Sequence, residues 1–205
     1  MPAGLLPEIG ERALEHLLLV AVSLGIATGI GIPAGILITR RAALRGWIVG
    51  FANVMQTVPS LALFGFLIPI PLIGGIGERT AIVALVLYAL LPILRNTLAG
   101  ILGVDAAVRE SAVAMGMTPR QLLWQVEMPL AARTILTGVR VATVATVGTA
   151  TIAAAIGGGG LGVFIFAGIY SVNTQLILAG ALPAAILALA ADGGLGWVER
   201  RFSLA

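Results

Sequence analysis

The polar residues whose types and spacing could serve a specific task lie together in one segment, DAAVRESAVAMGMTPRQLLWQVEMP, at residues 105–129. Asp105 is placed to cap a helix, and Gly116 suits the position just after that helix ends. Thr118 is placed to cap a second helix, and the spacing from Thr118 to Gln121 is that of a capping box. The second helix is predicted to end near the proline that closes the segment. Two short helices around a sharp turn present a surface for binding rather than a group for catalysis.

Side chains that could catalyse a reaction or hold a cofactor are scarce in this chain. There is no cysteine, which excludes a disulfide framework and a thiolate metal site, and His16 is the single histidine. The glycine run GGGGLG at residues 157–162 lacks the lysine of a phosphate-binding loop. No paired carboxylates mark a pocket. We therefore expect no catalytic residues, no metal and no cofactor in this chain.

The composition indicates a chain that lies mostly in a membrane. Hydrophobic residues make up 59% and charged residues only 10%, whereas a soluble domain carries about 25% charged residues. A membrane-spanning helix needs roughly 20 mostly apolar residues. The whole chain, residues 1–205, is therefore predicted to be one all-α transmembrane domain with five spans, at residues 17–39, 47–73, 80–101, 134–156 and 173–191.

The arginines predict the orientation of these spans. Nine lie beside the connections after the first and third spans or in the C-terminal tail, whereas only Arg12 and Arg79 lie on the opposite side. The excess of positive charge marks the cytoplasmic side. The N-terminus is therefore expected outside, with residues 105–129 and the C-terminus in the cytoplasm. No basic stretch precedes the first apolar run, so a cleaved signal peptide is not expected.

The glycine run is predicted to form a tight turn, since glycine readily adopts positive φ. The apolar stretch that follows it, residues 163–170, is too short to cross a bilayer. It is expected to be a re-entrant or interfacial helix. A gate or hinge at the glycine run is the alternative interpretation.

Polar residues inside the second predicted span form a possible pathway. Asn53, Gln56, Thr57 and Ser60 are spaced at i, i+3, i+4 and i+7, which puts them on one face of a helix. Such a stripe either hydrogen-bonds to neighbouring helices or lines a translocation path.

Two further ionisable residues lie in or beside the predicted spans. Arg95, in the third span, is expected to snorkel or to pair with an acid, for which Glu110, Glu127 and Asp192 are the candidates. His16 is expected at the outer interface of the first span.

The segment at residues 105–129 has three possible roles from its pattern alone. A helix–turn–helix for DNA would need more positive charge than Arg109 and Arg120 supply, and membrane spans flank the segment. A structured connector between spans is the plain alternative. A docking element for a cytoplasmic protein is favoured, with membrane lipid rather than nucleic acid around the rest of the chain.

The same residues resemble the permease signature of ATP-binding-cassette importers. That signature is Glu-Ala-Ala, a glycine six residues after the glutamate, and a closing Ile-x-Leu-Pro; here it reads Glu110-Ser111-Ala112, Gly116 and VEMP at 126–129. The resemblance implies that the segment is a coupling helix seated on an ATPase subunit dimer that binds ATP and magnesium. It assigns this contact to Glu110, Ser111, Ala112 and Gly116, and to the neighbouring Met117 and Thr118.

Longer stretches at residues 56–70, 89–101, 115–131 and 156–162 are similar to permeases for glycine betaine, choline, carnitine and related osmoprotectants. This resemblance implies a type I importer permease with the fold of the methionine permease. It also implies a second permease subunit, either identical or a sibling, and a separate extracellular solute-binding protein. A permease for methionine or another small solute is the alternative, and a membrane scaffold that transports nothing is a second one.

Overall fold

The computed structural model describes residues 5–71 and 73–202, and every regular element within them is helical. Leu72 of the second predicted span and the two ends of the predicted 1–205 domain lie outside the described residues. In chain order the longer helices are α1 (Leu5–Arg40), α2 (Ala42–Thr57), α3 (Ser60–Leu67), α4 (Glu78–Leu102), α5 (Ala106–Ala114), α7 (Met128–Ala150), α8 (Gly162–Tyr170) and α9 (Thr174–Arg201). Between α5 and α7 lie α6 (Pro119–Gln121) and a π-helical segment (Leu122–Glu127), and a 3₁₀ segment (Thr151–Ile156) follows α7.

Four helical stretches within the described residues are long and apolar enough to cross a membrane, or five if one bent pair counts as a span. The bent pair is α2 with α3, whose axes differ by 105°. Val58 between them is extended, with φ −65° and ψ 129°, as the residue before a proline prefers. Pro59 therefore breaks the second predicted span into two helices, whereas the other four predicted spans are each confirmed as helix.

The second helix of the 105–129 segment does not end near Pro129, contrary to the prediction. The chain passes from α6 through the π-helical segment straight into α7, so that residues 119–156 are one continuous helical stretch. Pro129 lies in the first turn of α7, directly after the π-helical segment. The wider π turn before it hydrogen-bonds Met128 N to Leu123 O, five residues back. The loop and the fourth span are therefore joined without a flexible link.

The central helix of the bundle is α4, which packs against α1, α7 and α2. Leu85 and Ile93 of α4 and Phe64 of α3 are completely buried in this core. Small residues let the helices approach closely, as is usual in membranes. A Cβ at Gly138 of α7 would lie 2.5 Å from Asn96 Cβ and 2.8 Å from Pro92 O, both in α4. The fourth span is therefore in backbone contact with the third.

The last span, α9, is attached to α7 by a network of ionic hydrogen bonds that the sequence did not indicate. Arg140 Nε and Nη2, which form one edge of the guanidinium group, donate to the two Asp192 oxygens at 2.6 and 2.7 Å, and Nη1 donates to Glu199 at 3.3 Å. Thr137 donates to the same glutamate at 3.1 Å. A bidentate arginine–carboxylate pair fixes orientation as well as distance. This network sets the rotation of α9 against α7.

The packing at Gly138 predicts a stability difference between two glycines of the same helix. Gly138→Ala places a methyl group against backbone and is expected to cost about 1–3 kcal/mol. Gly148→Ala is the matched control, because nothing lies within 4 Å of the added Cβ. Thermal unfolding of the detergent-purified protein, followed by tryptophan fluorescence, should show a lower Tm for Gly138→Ala only. Equal Tm values for the two variants would contradict the close contact between α4 and α7.

Candidate docking site between the third and fourth spans

Helix α5 is fixed at both ends by hydrogen bonds within the chain. The Asp105 side chain accepts from Ala107 N at 2.9 Å, which confirms the predicted N-cap. At the other end Gly116 N donates to Val113 O at 2.9 Å, and Met117 N donates to Ala112 O at 3.2 Å. Together with φ +83° at Gly116, these two bonds are a Schellman motif. The sharp turn predicted at Gly116 is confirmed.

The next helical stretch begins with the predicted capping box. Gln121 N donates to Thr118 Oγ1 at 3.3 Å, and Thr118 N donates to Gln121 Oε1 at 2.8 Å. Pro119 occupies the first helical position, where its missing N–H is not needed. The turn between α5 and α6 is therefore held by backbone and side-chain bonds on both sides, and it has one defined shape.

A buried carboxylate joins this segment to the membrane-spanning helices. Glu127, only 1% exposed, accepts from Arg40 at the end of α1 and lies 3.2 Å, Oε1 to Nε, from Arg109 of α5. Arg109 also donates to Ile101 O at the end of α4. A buried charge is tolerated only when it is paired and hydrogen-bonded. Glu127 therefore ties α1, α4 and α5 to the π-helical segment that leads into α7.

The residue types around Glu127 carried a signal for this role that sequence reasoning missed. Glu127 is a lone acid in an otherwise apolar stretch just before a proline, and an isolated acid in such a stretch usually has a basic partner. The prediction considered it only as a partner for Arg95.

The predicted coupling residues divide into exposed and buried ones. Glu110, Ser111, Gly116 and Thr118 are exposed and Met117 is half-buried, so they are available for contact. Ala112 is 2% exposed and faces its own chain. The contact that the resemblance assigns to Ala112 is therefore not available in this structure, because its small side chain is buried where α5 packs against the π-helical segment.

Apolar side chains on the same surface were not singled out by the sequence. Four large ones are exposed between residues 105 and 129: Val108, Val113, Met115 and Trp124. Met115, at 74% exposed, lies at the turn next to Gly116. Apolar residues grouped on a segment too polar for the bilayer are typical of a protein-binding surface. We call the exposed residues of 105–124 the loop surface.

The polar residues of the second span are not one stripe, because the bend separates them. Asn53, Gln56 and Thr57 lie on α2, whereas Ser60 begins α3 beyond the 105° bend. Gln56 and Thr57 are exposed, and Asn53 Oδ1 accepts from Arg95 Nη2 at 2.7 Å. Their role in a translocation path stays a prediction.

The acids considered as partners for Arg95 are engaged or placed elsewhere. Glu127 pairs with Arg40 and Arg109, Asp192 pairs with Arg140, and Glu110 lies on the loop surface. The partner of Arg95 in the structure is therefore an amide and not a carboxylate.

At the opposite end of the bundle, His16 is completely buried, so its predicted place at the interface is wrong. His16 Nε2 lies 3.1 Å from Val147 O of α7. The neighbouring Glu15 accepts from Gly160 N at 3.0 Å and from Arg12 at 2.9 Å. The glycine run allows this approach, because a Cβ at Gly160 would lie 3.0 Å from His16 Nδ1. The run is thus a tight turn packed on α1, and α8 follows it as the predicted short helix.

No group of three or more His, Asp or Glu residues able to hold a metal occurs in the part of the chain that the structure describes.

Comparison with known families decides what kind of protein this is. Residues 29–204 match the family described as binding-protein-dependent transport system inner membrane component. The chain belongs to this family. It is therefore a multi-pass permease subunit of an inner membrane, as predicted.

Named relatives cover almost the whole chain. The carnitine transport permease protein OpuCD of Listeria monocytogenes is 47% identical over 93% of this chain and 84% of that protein. The glycine betaine/carnitine/choline permease OpuCD of Bacillus subtilis is 45% identical over 92% of this chain and 82% of that protein. The choline permease OpuBB of the same organism is 43% identical over 96% and 89%.

Solved structures confirm the fold. A chain of the MetNI methionine ABC transporter, in an inward-facing conformation, matches with a TM-score of 0.89 over 98% of this chain and 99% of that chain, at 24% identity. An amino-acid transporter crystallised with histidines matches with a TM-score of 0.76 over 95% and 94%, at 20% identity. The predicted type I importer fold is thereby confirmed.

The position of Glu127 predicts that its charge limits local opening of the loop. Glu127→Gln keeps the shape but weakens the bonds to Arg40 and Arg109, at a cost of about 1.5 kcal/mol, since both guanidinium groups remain partly in water. Local opening should then rise about tenfold. Limited trypsin digestion after Arg109 and Arg120 should be faster by that factor.

Glu110→Gln is the matched control for Glu127→Gln, since it removes an exposed carboxylate from α5 of the same loop. It should leave the digestion rate unchanged. Equal digestion rates for Glu127→Gln and the wild-type protein would show that the buried carboxylate does not hold the loop.

Proposed function

We propose that this permease carries osmoprotectants such as glycine betaine, carnitine or choline into the cytoplasm. The support is the naming of its relatives, which are 43–47% identical over more than nine-tenths of the chain. The likeness to methionine and amino-acid transporters rests on fold at 20–24% identity and says nothing of cargo. Methionine or another small solute remains the alternative cargo.

The energy for transport would come from a separate ATPase dimer that binds ATP and magnesium. This chain has no phosphate-binding loop of its own. The loop surface supports the idea of such a partner, because capped helices that are bonded to three spans hold exposed apolar residues in a fixed arrangement. This rigid attachment of the loop surface to the spans is the observation that supports an ATPase partner.

The orientation proposed here places the loop surface and the C-terminus in the cytoplasm and the N-terminus outside. The arginine distribution supports it, with nine arginines toward the loop side and two toward the other. Closure of the ATPase dimer would then push on α5, and the Glu127 pairs would pass the displacement to α1, α4 and α7. The pathway between two permease subunits, identical or sibling, would alternate between outward-open and inward-open.

Recognition of the cargo is assigned to a separate extracellular solute-binding protein. Quaternary ammonium ligands are typically held by several aromatic rings through cation–π attraction. Aromatic residues make up only 5% of this chain. The permease therefore would supply a weak path and the binding protein the selectivity.

The first functional prediction concerns coupling. Gly116→Pro cannot adopt φ +83°, because proline is locked near −65°, and Glu110→Arg reverses a charge on the loop surface. Both variants should insert normally, but the rate of solute uptake should fall at least tenfold while ATP is still hydrolysed. Uptake and phosphate release would be measured together in proteoliposomes that hold the full complex.

Glu8→Arg is the matched control for Glu110→Arg, since Glu8 is an exposed glutamate on the opposite side of the bundle. It should retain uptake. Normal uptake in both Gly116→Pro and Glu110→Arg would refute the docking role of the loop.

The second functional prediction concerns cargo. Radiolabelled glycine betaine should accumulate in the same proteoliposomes when the cognate binding protein and internal ATP are supplied. Excess unlabelled carnitine or choline should reduce that accumulation, and excess methionine should not. Competition by methionine without competition by the osmoprotectants would replace the proposed cargo with its alternative.

A further inference from the structure

Arg95 is a cation that the bundle exposes inside a membrane span. It lies on α4 seven residues before the helix ends at Leu102, which is about 10 Å along the helix axis. Its neighbours Leu94 and Thr97 are buried, whereas its own side chain is exposed. A charge at this depth faces a water-filled space or a protein partner, since hydrocarbon would reject it.

The charge of Arg95 is not neutralised by any carboxylate among the described residues. Its hydrogen bond goes to the neutral amide of Asn53, at 2.7 Å between Nη2 and Oδ1. Arg140, within the fourth span, differs because it pairs with Asp192 and Glu199. Arg95 therefore has guanidinium N–H groups left for another acceptor.

The surface of α2 that meets Arg95 is polar, as the wall of a translocation path is expected to be. Gln56 and Thr57, one turn beyond Asn53 on α2, are polar and exposed, whereas the exposed apolar Trp47, Phe51 and Val54 lie on another side of the same helix. The outer faces of α1 and α9 are apolar instead, with exposed Leu14, Leu18, Val22, Ile26 and Ile30 on α1 and Leu178, Leu182, Ile186 and Leu189 on α9. Lipid contact is therefore assigned to the apolar faces of α1, α9 and α2, and water contact to the narrower strip where Asn53, Gln56 and Thr57 lie beside Arg95.

We propose that Arg95, held by Asn53, is the transient contact for the carboxylate of a zwitterionic cargo as it crosses the membrane. This inference rests on the proposed function and concerns those of its cargoes that carry both a quaternary ammonium and a carboxylate. A guanidinium presents parallel N–H groups that match a carboxylate. The bond to Asn53 uses one N–H and orients the rest. A choline cation offers no acceptor of this kind and is repelled by the same charge.

The test compares two cargoes in proteoliposomes that contain the full complex. Arg95→Gln should reduce glycine betaine uptake about tenfold, the usual effect of losing a charged hydrogen bond, and should leave choline uptake unchanged or raise it. Arg95→Lys, which keeps the charge, should restore part of the glycine betaine uptake. Asn53→Asp should act like Arg95→Gln, because the new carboxylate pairs with Arg95 and repels the carboxylate of the cargo.

Arg79→Gln is the matched control, since Arg79 is an exposed arginine near the other end of the same helix. Stimulation of the ATPase by the loaded binding protein should persist in Arg95→Gln, which separates a path defect from a coupling defect. Wild-type complex that carries neither solute would refute the proposed function itself.

Four results would overturn the role of Arg95 without refuting the proposed function. These are equal loss of both cargoes, unchanged uptake of both, dissociation of the permease dimer in Arg95→Gln, and a wild-type complex that carries choline but no glycine betaine.

Discussion

Glu127 holds a carboxylate that is 1% exposed and is bridged by guanidinium groups from two other elements, Arg40 of α1 and Arg109 of α5. Removing one partner of a buried pair leaves an uncompensated charge, which is far costlier than keeping the pair. The end of the first span, the loop helix and the start of the fourth span therefore keep their relative positions together. Because α5 is capped at both ends, a force on the loop surface is transmitted to those spans rather than absorbed by the loop.

The spans receive such a force because their own packing is close. Helical structure runs without interruption from Pro119 to Ile156, so the loop and the fourth span form one element. Gly138 brings that element into backbone contact with α4, and Arg140 fixes α9 to it through Asp192 and Glu199. Asn53 and Arg95 meet on the α2–α4 face, where the guanidinium group is exposed and has no carboxylate partner among the described residues. A permease half requires both a rigid connection from the loop to the spans and a polar face within the spans.

Local chemistry made much of this predictable from sequence. Asp105, Gly116 and Thr118 have caps and turns specified by the neighbouring residues, so the predicted bonds are present. The predictions failed where contacts between residues far apart in the sequence determine the local structure. The continuation of the helix past Pro129 depends on a π turn, and the burial of His16 depends on a glycine loop 140 residues away that packs on it. The pairing of Glu127 with Arg40 spans 87 residues, and hydrophobic periodicity carries no information about such pairs.

The ratio of solute moved to ATP hydrolysed tests the proposed role of the Glu127 pairs most directly. It would be measured in proteoliposomes with the wild-type permease, with Glu127→Gln, and with Glu199→Gln, which weakens an ion-pair network away from the loop. We expect ATP hydrolysis to continue in Glu127→Gln while the ratio falls several-fold, and we expect Glu199→Gln to keep a ratio closer to the wild-type value. An unchanged ratio in Glu127→Gln would contradict the claim that this buried carboxylate couples the loop to the spans.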